Sequence, residues 1–428
     1  MTASLDTLLQ APILAGARVR AGTDADRIDG VRPRLVVEPR TAEETAALLA
    51  WASRERLTVV FRGGGTKLGW GRVPTAVDLL VSLRGLNRVL AHEHADLTAT
   101  VEAGATLEEF NASLGRHRQW LPVDPAGDEA TVGGAVATND TGPLRHRYGT
   151  PRDLLIGVRL ATADGRLVKA GGSVVKNVAG YDLGRLVSGS FGSLAALVGA
   201  TFKLLPMPAS SHTLSVTFHD KDRAAAAVTR LNDSQLEPTA MELQARRTAT
   251  GAVAPAGREG PPYVLLVRFA TSPAAAAAQV EQARALVGDG EAITGDGEAA
   301  LWRRYQRRAS ASAGTVIRMS WLPAALAQVL ALVEEVGRTE GSVELVARAG
   351  IGTGLLRIDG GVDWQIATVE RLRARTETVA HVTIQDAPPE VKAKVDVWGS
   401  PGAEESVASA IKRALDPVGI LNAGRGPV

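Results

Sequence analysis

The sequence predicts an α+β protein of two parts, and three observations predict it. At 428 residues the chain is too long for one ordinary domain of about 150 residues. Up to about residue 208 it is glycine-dense, with short strand-like runs between capped helical stretches. Beyond Pro206 and Pro208 glycine thins, and β-branched runs alternate with alanine-rich helical ones. A composition of 45% hydrophobic and 22% charged residues supports a large core and excludes a disordered or collagen-like chain.

In the first part, 35–38 is strand-like. Thr41 is placed to cap a helix over 41–57, because Glu44 stands three residues on and Ala47, Leu48 and Trp51 recur at helical spacing. The β-branched run 58–61 ends abruptly in Arg62-Gly63-Gly64-Gly65, so this stretch reads as a β–α–β unit. Further strands fall at 77–83 and 97–102. Thr106 and Glu109 form a second capping box ahead of Phe110 and Leu114. Asp164-Gly165 between 154–161 and 167–169 predicts a hairpin, and 194–205 a long apolar strand.

In the second part, strands are predicted at 214–218, 263–269, 315–320, 343–347 and 355–358. Helices are predicted at 222–231, 273–287 with Pro273 in its first turn, 323–336 and 364–375. Such alternation gives a sheet with helices packed on one face. Residues 248–261 read as a mobile loop. A last helix over 404–415 precedes Asp416-Pro417 and a short terminal stretch.

Forty-eight basic against 46 acidic residues leave a net charge of +2, which gives no footprint for nucleic acid. With no cysteine, this chain holds no disulfide, thiolate zinc site, cysteine nucleophile or iron–sulfur cluster. The N-terminus lacks a basic stretch before its apolar residues, and no run reaches about 18–20 clean apolar residues. The expected location is cytoplasmic, with membrane contact only through partners. His92-Glu93-His94 with Asp96 has the composition of a metal site, but between two strands it reads as a solvated turn, and no metal is expected. Arg303-Arg304 and Arg307-Arg308, near Trp302 and Tyr305, read as a solvated helix face or partner surface. No nucleophile-elbow context exists for a Ser-His-Asp set.

Three glycine-rich clusters carry more information. In Arg62-Gly63-Gly64-Gly65-Thr66-Lys67-Leu68-Gly69, bare backbone after a strand can turn tightly and form a concave anion site, although a flexible surface loop fits the same residues. It matches neither the P-loop nor the dinucleotide-binding spacing. Thr131-Val132-Gly133-Gly134-Ala135-Val136-Ala137-Thr138-Asn139, led in by Pro125-Ala126-Gly127, offers bare backbone at a helix start, or a small-residue helix packed in a core. Arg147-Tyr148-Gly149 follows, with His146 beside it and Asp153 beyond. The third cluster runs from Gly171-Gly172-Ser173 through Lys176 to Gly180-Tyr181-Asp182-Leu183. Together they point to one shared ligand.

The ordered set RGGGTK, ATVGGAVATN, RYGTPRD, GGSVVKNVAGYDL and GSFGSLAALV resembles the flavin domain of the vanillyl-alcohol-oxidase-type (PCMH-type) FAD oxidoreductases over about residues 30–208. Within that family it is most similar to the FAD-binding E-subunits of bacterial glycolate oxidases. The resemblance implies a two-part PCMH-type FAD-binding domain over 1–208, a ferredoxin-like α+β cap or partner-docking domain over 209–400, and a segment 401–428 returning to the flavin. It implies that Arg62, Gly63, Gly64, Gly65, Thr66, Lys67 and Leu68 form the pyrophosphate loop. Pro125, Thr131, Gly133, Gly134, Thr138 and Asn139 would line the pyrophosphate and the flavin edge, and the stretch around Ala196–Gly199, with Val198, would meet the adenine side through backbone groups. Asn422 and Arg425 would approach the isoalloxazine. A cation near flavin N1 stabilises the anionic reduced ring; Arg425, Arg145, Arg147 and Lys176 are the candidates.

Two departures qualify the resemblance. Thr66 and Lys67 stand where many relatives attach FAD through a histidine, so non-covalent FAD is expected. Hydroxy-acid-oxidising members carry an H-x-G-D-G-N stretch and a later Glu-His-Gly; this chain has neither, and its second half holds only His212, His219 and His381. Gly288-Asp289-Gly290 and Gly295-Asp296-Gly297 lack the flanking His and Asn. The function implied is the FAD-binding subunit of a glycolate or 2-hydroxy-acid oxidase (dehydrogenase) complex, peripheral at the inner membrane if at any. A paralogous FAD subunit would act on the substrate and an iron–sulfur subunit would take the electrons. A stand-alone FAD-dependent alcohol or hydroxy-acid oxidase and a flavin-free structural subunit are the alternatives, and the intact glycine clusters count against the latter. No catalytic residue is assigned.

Overall fold

Capping and apolar spacing act locally as the sequence suggests. The computed structural model describes residues 8–173, 180–248, 262–308, 314–399, 402 and 405–427. The chain divides into two compact units, Met1–Thr141 with Gly149–Met207 and Ser400–Val428, and Gly142–Tyr148 with Pro208–Gly399.

The first unit holds two main sheets. Strands β1 (Arg18–Ala21), β2 (Leu35–Glu38), β3 (Val59–Arg62) and β4 (Leu79–Ser82) form one, ordered β1-β2-β4-β3, with β2, β4 and β3 parallel. Helix α1 (Ala42–Arg54) makes the crossover from β2 to β3. Thr41 Oγ1 accepts from Glu44 N at 3.0 Å, while the Glu44 carboxylate accepts from Arg40 N at 2.7 Å, one residue before the reciprocal capping position. Leu48, Leu49 and Trp51 of α1 pack in one core with Leu35, Val37, Leu79 and Val81.

The second sheet is antiparallel, ordered β5-β6-β10-β8-β9, from β5 (Val89–Glu93), β6 (Thr98–Glu102), β8 (Leu155–Ala161), β9 (Leu167–Gly171) and β10 (Ala196–Lys203). A short pair, β7 (Gln119–Trp120) and β11 (Leu205–Pro206), stands apart. Helix α2 (Leu107–Gly115) carries the full Thr106–Glu109 capping box and buries Phe110 and Leu114. The β8–β9 hairpin turns at Gly165, whose φ of +85° only glycine adopts readily. Helices α3 (Val132–Thr138) and α4 (Leu183–Val187) complete this part.

After the helix Glu405–Leu415, the tail runs beside β3. Val59 N donates to Ile420 O at 2.9 Å and Asn422 N to Val59 O at 2.7 Å. The turn is built on Asp416, which is buried and accepts from Gly419 N (3.1 Å), Ile420 N (3.1 Å), Leu421 N (2.8 Å) and Lys412 Nζ (2.6 Å).

The second unit is one eight-stranded antiparallel sheet. It comprises β12 (Ser210–Phe218), β13 (Ala240–Thr248), β14 (Tyr263–Thr271), β15 (Glu291–Thr294), β16 (Thr315–Ser320), β17 (Ser342–Arg348), β18 (Thr353–Asp359) and β19 (His381–Asp386), ordered β15-β12-β14-β13-β17-β18-β16-β19. Helices α5 (Lys221–Asn232), α6 (Pro273–Val287), α8 (Leu326–Gly337) and α9 (Val362–Arg373) share one core with the sheet. The one-face arrangement predicted from sequence is incomplete. Helix α7 (Gly295–Arg308) buries Trp302 and Tyr305 in a separate cluster with Ala240, Leu266 and Val346, the sheet residues that alternate with the main core. Residues 142–148, expected in the first part, join the second unit. The loop reading of 248–261 falls almost wholly outside the described residues.

Candidate functional site

The first unit holds a concave cleft, partly open to solvent. Four segments, joined by Leu83 and Ala103, build its wall: the end of β3 and its loop (61–68, with Trp70), the start and body of α3, residues 187–197, and the tail. Arg62, Gly63, Gly64, Gly65, Thr66, Lys67 and Leu68 all line it, as do Thr131, Gly133, Gly134, Thr138, Asn422 and Arg425. The apolar part of the lining is Phe61, Leu83, Val136, Val187, Phe191 and Leu197. Sequence reading missed these, because nothing separates an apolar wall residue from an apolar core residue. One usable signal was Gly192, which lines the cavity at a φ of +70° and whose Cβ would stand 2.9 Å from Phe61 Cδ2.

The glycines are bare for different reasons. A Cβ on Gly64 would overlap the carbonyl oxygen of Glu129, and one on Gly63 would overlap Thr131 Oγ1. A Cβ on Gly133 would fall 2.8 Å from the Ala103 Cβ. These three let the β3 loop and α3 pack closely on their neighbours. Gly134 is different: its nearest obstacle is Thr131 Oγ1 at 3.1 Å. The hydroxyls of α3 serve the helix, Thr131 Oγ1 accepting from Gly134 N at 3.2 Å and Thr138 Oγ1 donating to Gly134 O at 2.7 Å. Asn139 ends α3 in the left-handed conformation and accepts from Arg152 N at 3.3 Å.

Three cationic side chains line the cavity, each held differently. Arg62 pairs with Asp26 at 2.9 Å. Hydrogen bonds from Arg20, Thr23 and Arg62 hold that buried carboxyl far below the usual range, with Arg20 the strongest. Arg425 is buried; it donates to the carbonyls of Leu68, Trp70 (2.8 Å) and Arg72 (3.3 Å) and to Asn422 Oδ1 (3.4 Å), tying the tail to the first glycine loop. Burial pushes its pKa down. Asn422, at a φ of +47°, donates to Phe191 O at 2.6 Å. Lys67 pairs with Asp140 at 3.4 Å. An apolar slot with bare backbone on one wall and buried cations at its edge suits a planar, anionic dinucleotide.

Five described candidates have side chains outside the lining, Asn139 at the end of α3 among them. Val198 lines a second groove with Ala42, Arg159 and Thr201, while its strand neighbour Leu197 faces the cavity; alternation along β10 puts the two on opposite faces. Pro125 is buried behind the lining, next to Ala126, whose carbonyl accepts from Lys67 Nζ at 3.0 Å. Arg147 belongs to the second unit and pairs with Glu237 at 3.0 Å, and Arg145 shares its short helix. Lys176, with 174–179, lies outside the described residues.

His146 also belongs to the second unit; its Nδ1 is buried without a hydrogen bond, and burial pushes its pKa down. His94 and His117 stack with ring centroids 4.5 Å apart, His92 meets both edge-on at 5.1 and 6.3 Å, and His92 Nε2 meets Gln119 Oε1 at 2.8 Å. Among the described residues no group of His, Cys, Asp or Glu is set to hold a metal ion, and no helix is long and apolar enough to cross a membrane. In the second unit, Trp302 Nε1 donates to Thr213 Oγ1 at 2.9 Å and Tyr305 donates to the buried Glu242, so these aromatics anchor α7 inward while Arg303 and Arg304 face solvent.

The parallel sheet with its α1 crossover, the antiparallel second sheet and the glycine-walled cleft they enclose define a flavin-binding domain. Residues 33–171 match the FAD binding domain family, and residues 207–336 match the C-terminal domain of FAD linked oxidases. The chain belongs to the PCMH-type FAD oxidoreductases related to glycolate oxidase, and its cofactor is FAD. It is 33% identical over 274 residues to the D-lactate dehydrogenase of Archaeoglobus fulgidus, covering 61% of each chain. It is 36% identical over 180 residues to glycolate oxidase subunit GlcE of Escherichia coli (strain K12), covering 41% of this chain and 51% of that one. These matches thus span less than two thirds of either relative. The fold is also that of an alkyldihydroxyacetonephosphate synthase structure, with a TM-score of 0.71 at 16% identity, covering 98% of this chain and 84% of that one.

Proposed function

We propose that this chain is the FAD-binding subunit of a complex that oxidises glycolate or a related 2-hydroxy acid, working with a paralogous FAD subunit and an iron–sulfur subunit. The observation that carries this reading is the cleft itself, whose four walls bring both main glycine clusters and the tail to one place. Bound FAD supplies two-electron acceptance from a hydroxy-acid C–H and one-electron delivery to a partner.

The chain's own residues hold and shape that group. The backbone of Gly63, Gly64 and Gly65, with Thr66, Lys67 and Leu68, forms the anion-binding wall, and Gly133 and Gly134 bare the opposite one. Phe61, Val136, Val187 and Leu197 exclude water from the planar ring. Arg425, fixed by three carbonyls, places a cation at the cleft. Thr66 and Lys67 offer no histidine for attachment, which supports non-covalent FAD.

The separate substrate subunit is supported by the second unit. Its two strand-borne histidines are far apart: His212 lies on β12 and His381 on β19, six strands away, while His146 stands on a short helix and His219 just beyond β12. At about 4.8 Å per strand that separation is roughly 29 Å, too far to share a metal or substrate.

The test is spectral. The purified chain is expected to be yellow and to release its flavin on acid denaturation. Anaerobic glycolate or D-lactate should bleach it only when the partner subunits are co-expressed. Bleaching of the isolated chain would instead establish a stand-alone enzyme, and a colourless chain that FAD cannot reconstitute would overturn the flavin reading.

A further inference from the structure

The first glycine loop carries a lysine sealed almost entirely from water. The Lys67 side chain is 7% exposed and that of Asp140, 3.4 Å away, is 4% exposed. Lys67 Nζ also donates to Thr66 Oγ1 at 3.1 Å and to Ala126 O at 3.0 Å, and stands 5.5 Å from the centre of the Trp70 ring. Asp140 accepts in turn from Ala126 N at 3.1 Å, so carboxylate, loop and ammonium are linked. Lys67 lines the cavity, whereas Asp140 stands behind the lining. Of the other cations there, Arg62 is neutralised by Asp26 and Arg425 is fixed by backbone carbonyls. Lys67 alone among the described lining cations can lose its charge within an accessible pH range.

We propose that Asp140 is a positioning residue that keeps the Lys67 ammonium charged and set in the cavity wall, making FAD retention depend on the protonation of Lys67. The proposal rests on the cavity being the FAD site. Burial works against the charged form of Lys67, and Asp140 opposes burial by Coulombic attraction and hydrogen bonding; burial prevails, so the pKa lies below the ordinary lysine value. The charged groups on the elements around Lys67 are Asp140, Arg62 and Arg425, with Asp124, Asp128 and Glu129 on the segment that bears Ala126. Among these, Asp140 is the carboxylate that acts on Lys67.

The sign follows from linkage. The FAD diphosphate is an anion and favours charged Lys67, so the pKa is higher with FAD bound than without. Affinity is therefore full below the pKa of the free protein and falls as pH rises through it. Removing Asp140 takes away what opposes burial, so the fall must begin at lower pH.

Apoprotein prepared by acid release of flavin would be titrated with FAD, by flavin fluorescence, from about pH 6 to about pH 10, with melting temperatures recorded beside it. The wild type is expected to bind progressively more weakly as pH rises. K67M should bind roughly ten- to a hundred-fold more weakly at pH 7, with the rise-of-pH effect gone. K67R should recover affinity and keep it to the top of the range, because guanidinium does not deprotonate there. D140N should lose FAD at lower pH than the wild type. If K67M does not fold, K67R and D140N carry the test. Superimposable pH profiles for the wild type, K67R and D140N would sink the proposal. A wild type that binds no FAD at any pH would instead overturn the reading of the cavity.

Discussion

At the scale of single residues, Gly64 and Gly134 show how alike two glycines look in sequence and how differently they act. A side chain at Gly64 meets the Glu129 backbone, so Gly64→Val must displace the loop at a cost of about 1–3 kcal/mol. A methyl at Gly134 meets only the Thr131 hydroxyl at 3.1 Å, and helix propensity offsets the crowding by about 1 kcal/mol. Gly134→Ala is therefore expected to leave the melting temperature of the apoprotein unchanged or slightly higher while weakening FAD binding about tenfold, because the methyl occupies the cleft wall. Gly64→Val should lower both. Equal losses of stability in the two variants would contradict this division. The motif was legible as bare backbone; that Gly64 serves packing depends on Glu129, more than sixty residues away in the chain, and that Gly134 does not is set by the space left beyond Thr131. At Val198, alternation along β10 sends the side chain to a second groove and gives the cavity side to Leu197, which leaves the backbone for the contact that the resemblance implies.

At the scale of elements, those with local signals were legible and those without were not. The Thr106–Glu109 box, the Asp164-Gly165 hairpin and the helices α5, α6, α8 and α9 follow from nearest-neighbour chemistry. Strand β5 escaped notice because, as an edge strand, it exposes Val89 and Leu90 and carries polar residues. Helix α7 was legible only as a solvated face, because its arginines mask the two aromatics that it buries. That the tail returns to the flavin is implied only by resemblance; what brings it to the cleft is the Asp416 turn. Asp416→Ala leaves three backbone N–H groups and the mostly buried Lys412 without their carboxylate, at a cost of about 3 kcal/mol. Since the same turn delivers Asn422 and Arg425, limited proteolysis should cut the variant in its tail and flavin content should fall with it. A protected tail that still lost flavin would show that Asp416 acts some other way.

At the scale of the molecule, the second unit decides which chemistry belongs to this chain. Its sheet has eight strands, and a wide sheet keeps residues on distant strands apart whatever their side chains do. His212 pairs in register with Phe269 and Thr294 near one edge, and His381 with Ser320 at the other. Bending or twisting shortens a path of roughly 29 Å by too little to bring two imidazoles to one ion or one hydroxyl group. If the hydroxyl proton is taken elsewhere in the complex, neither histidine has a step to perform. The double substitution His212→Gln and His381→Gln is then expected to leave turnover of the assembled complex with glycolate or D-lactate within about twofold of the wild type, and its pH profile unchanged. Both positions are at the surface or partly so, and glutamine keeps a polar side chain there, so the variant should fold. A fall of about a hundredfold, the usual contribution of a general base, would place the substrate chemistry in this chain and remove the need for a second flavin subunit.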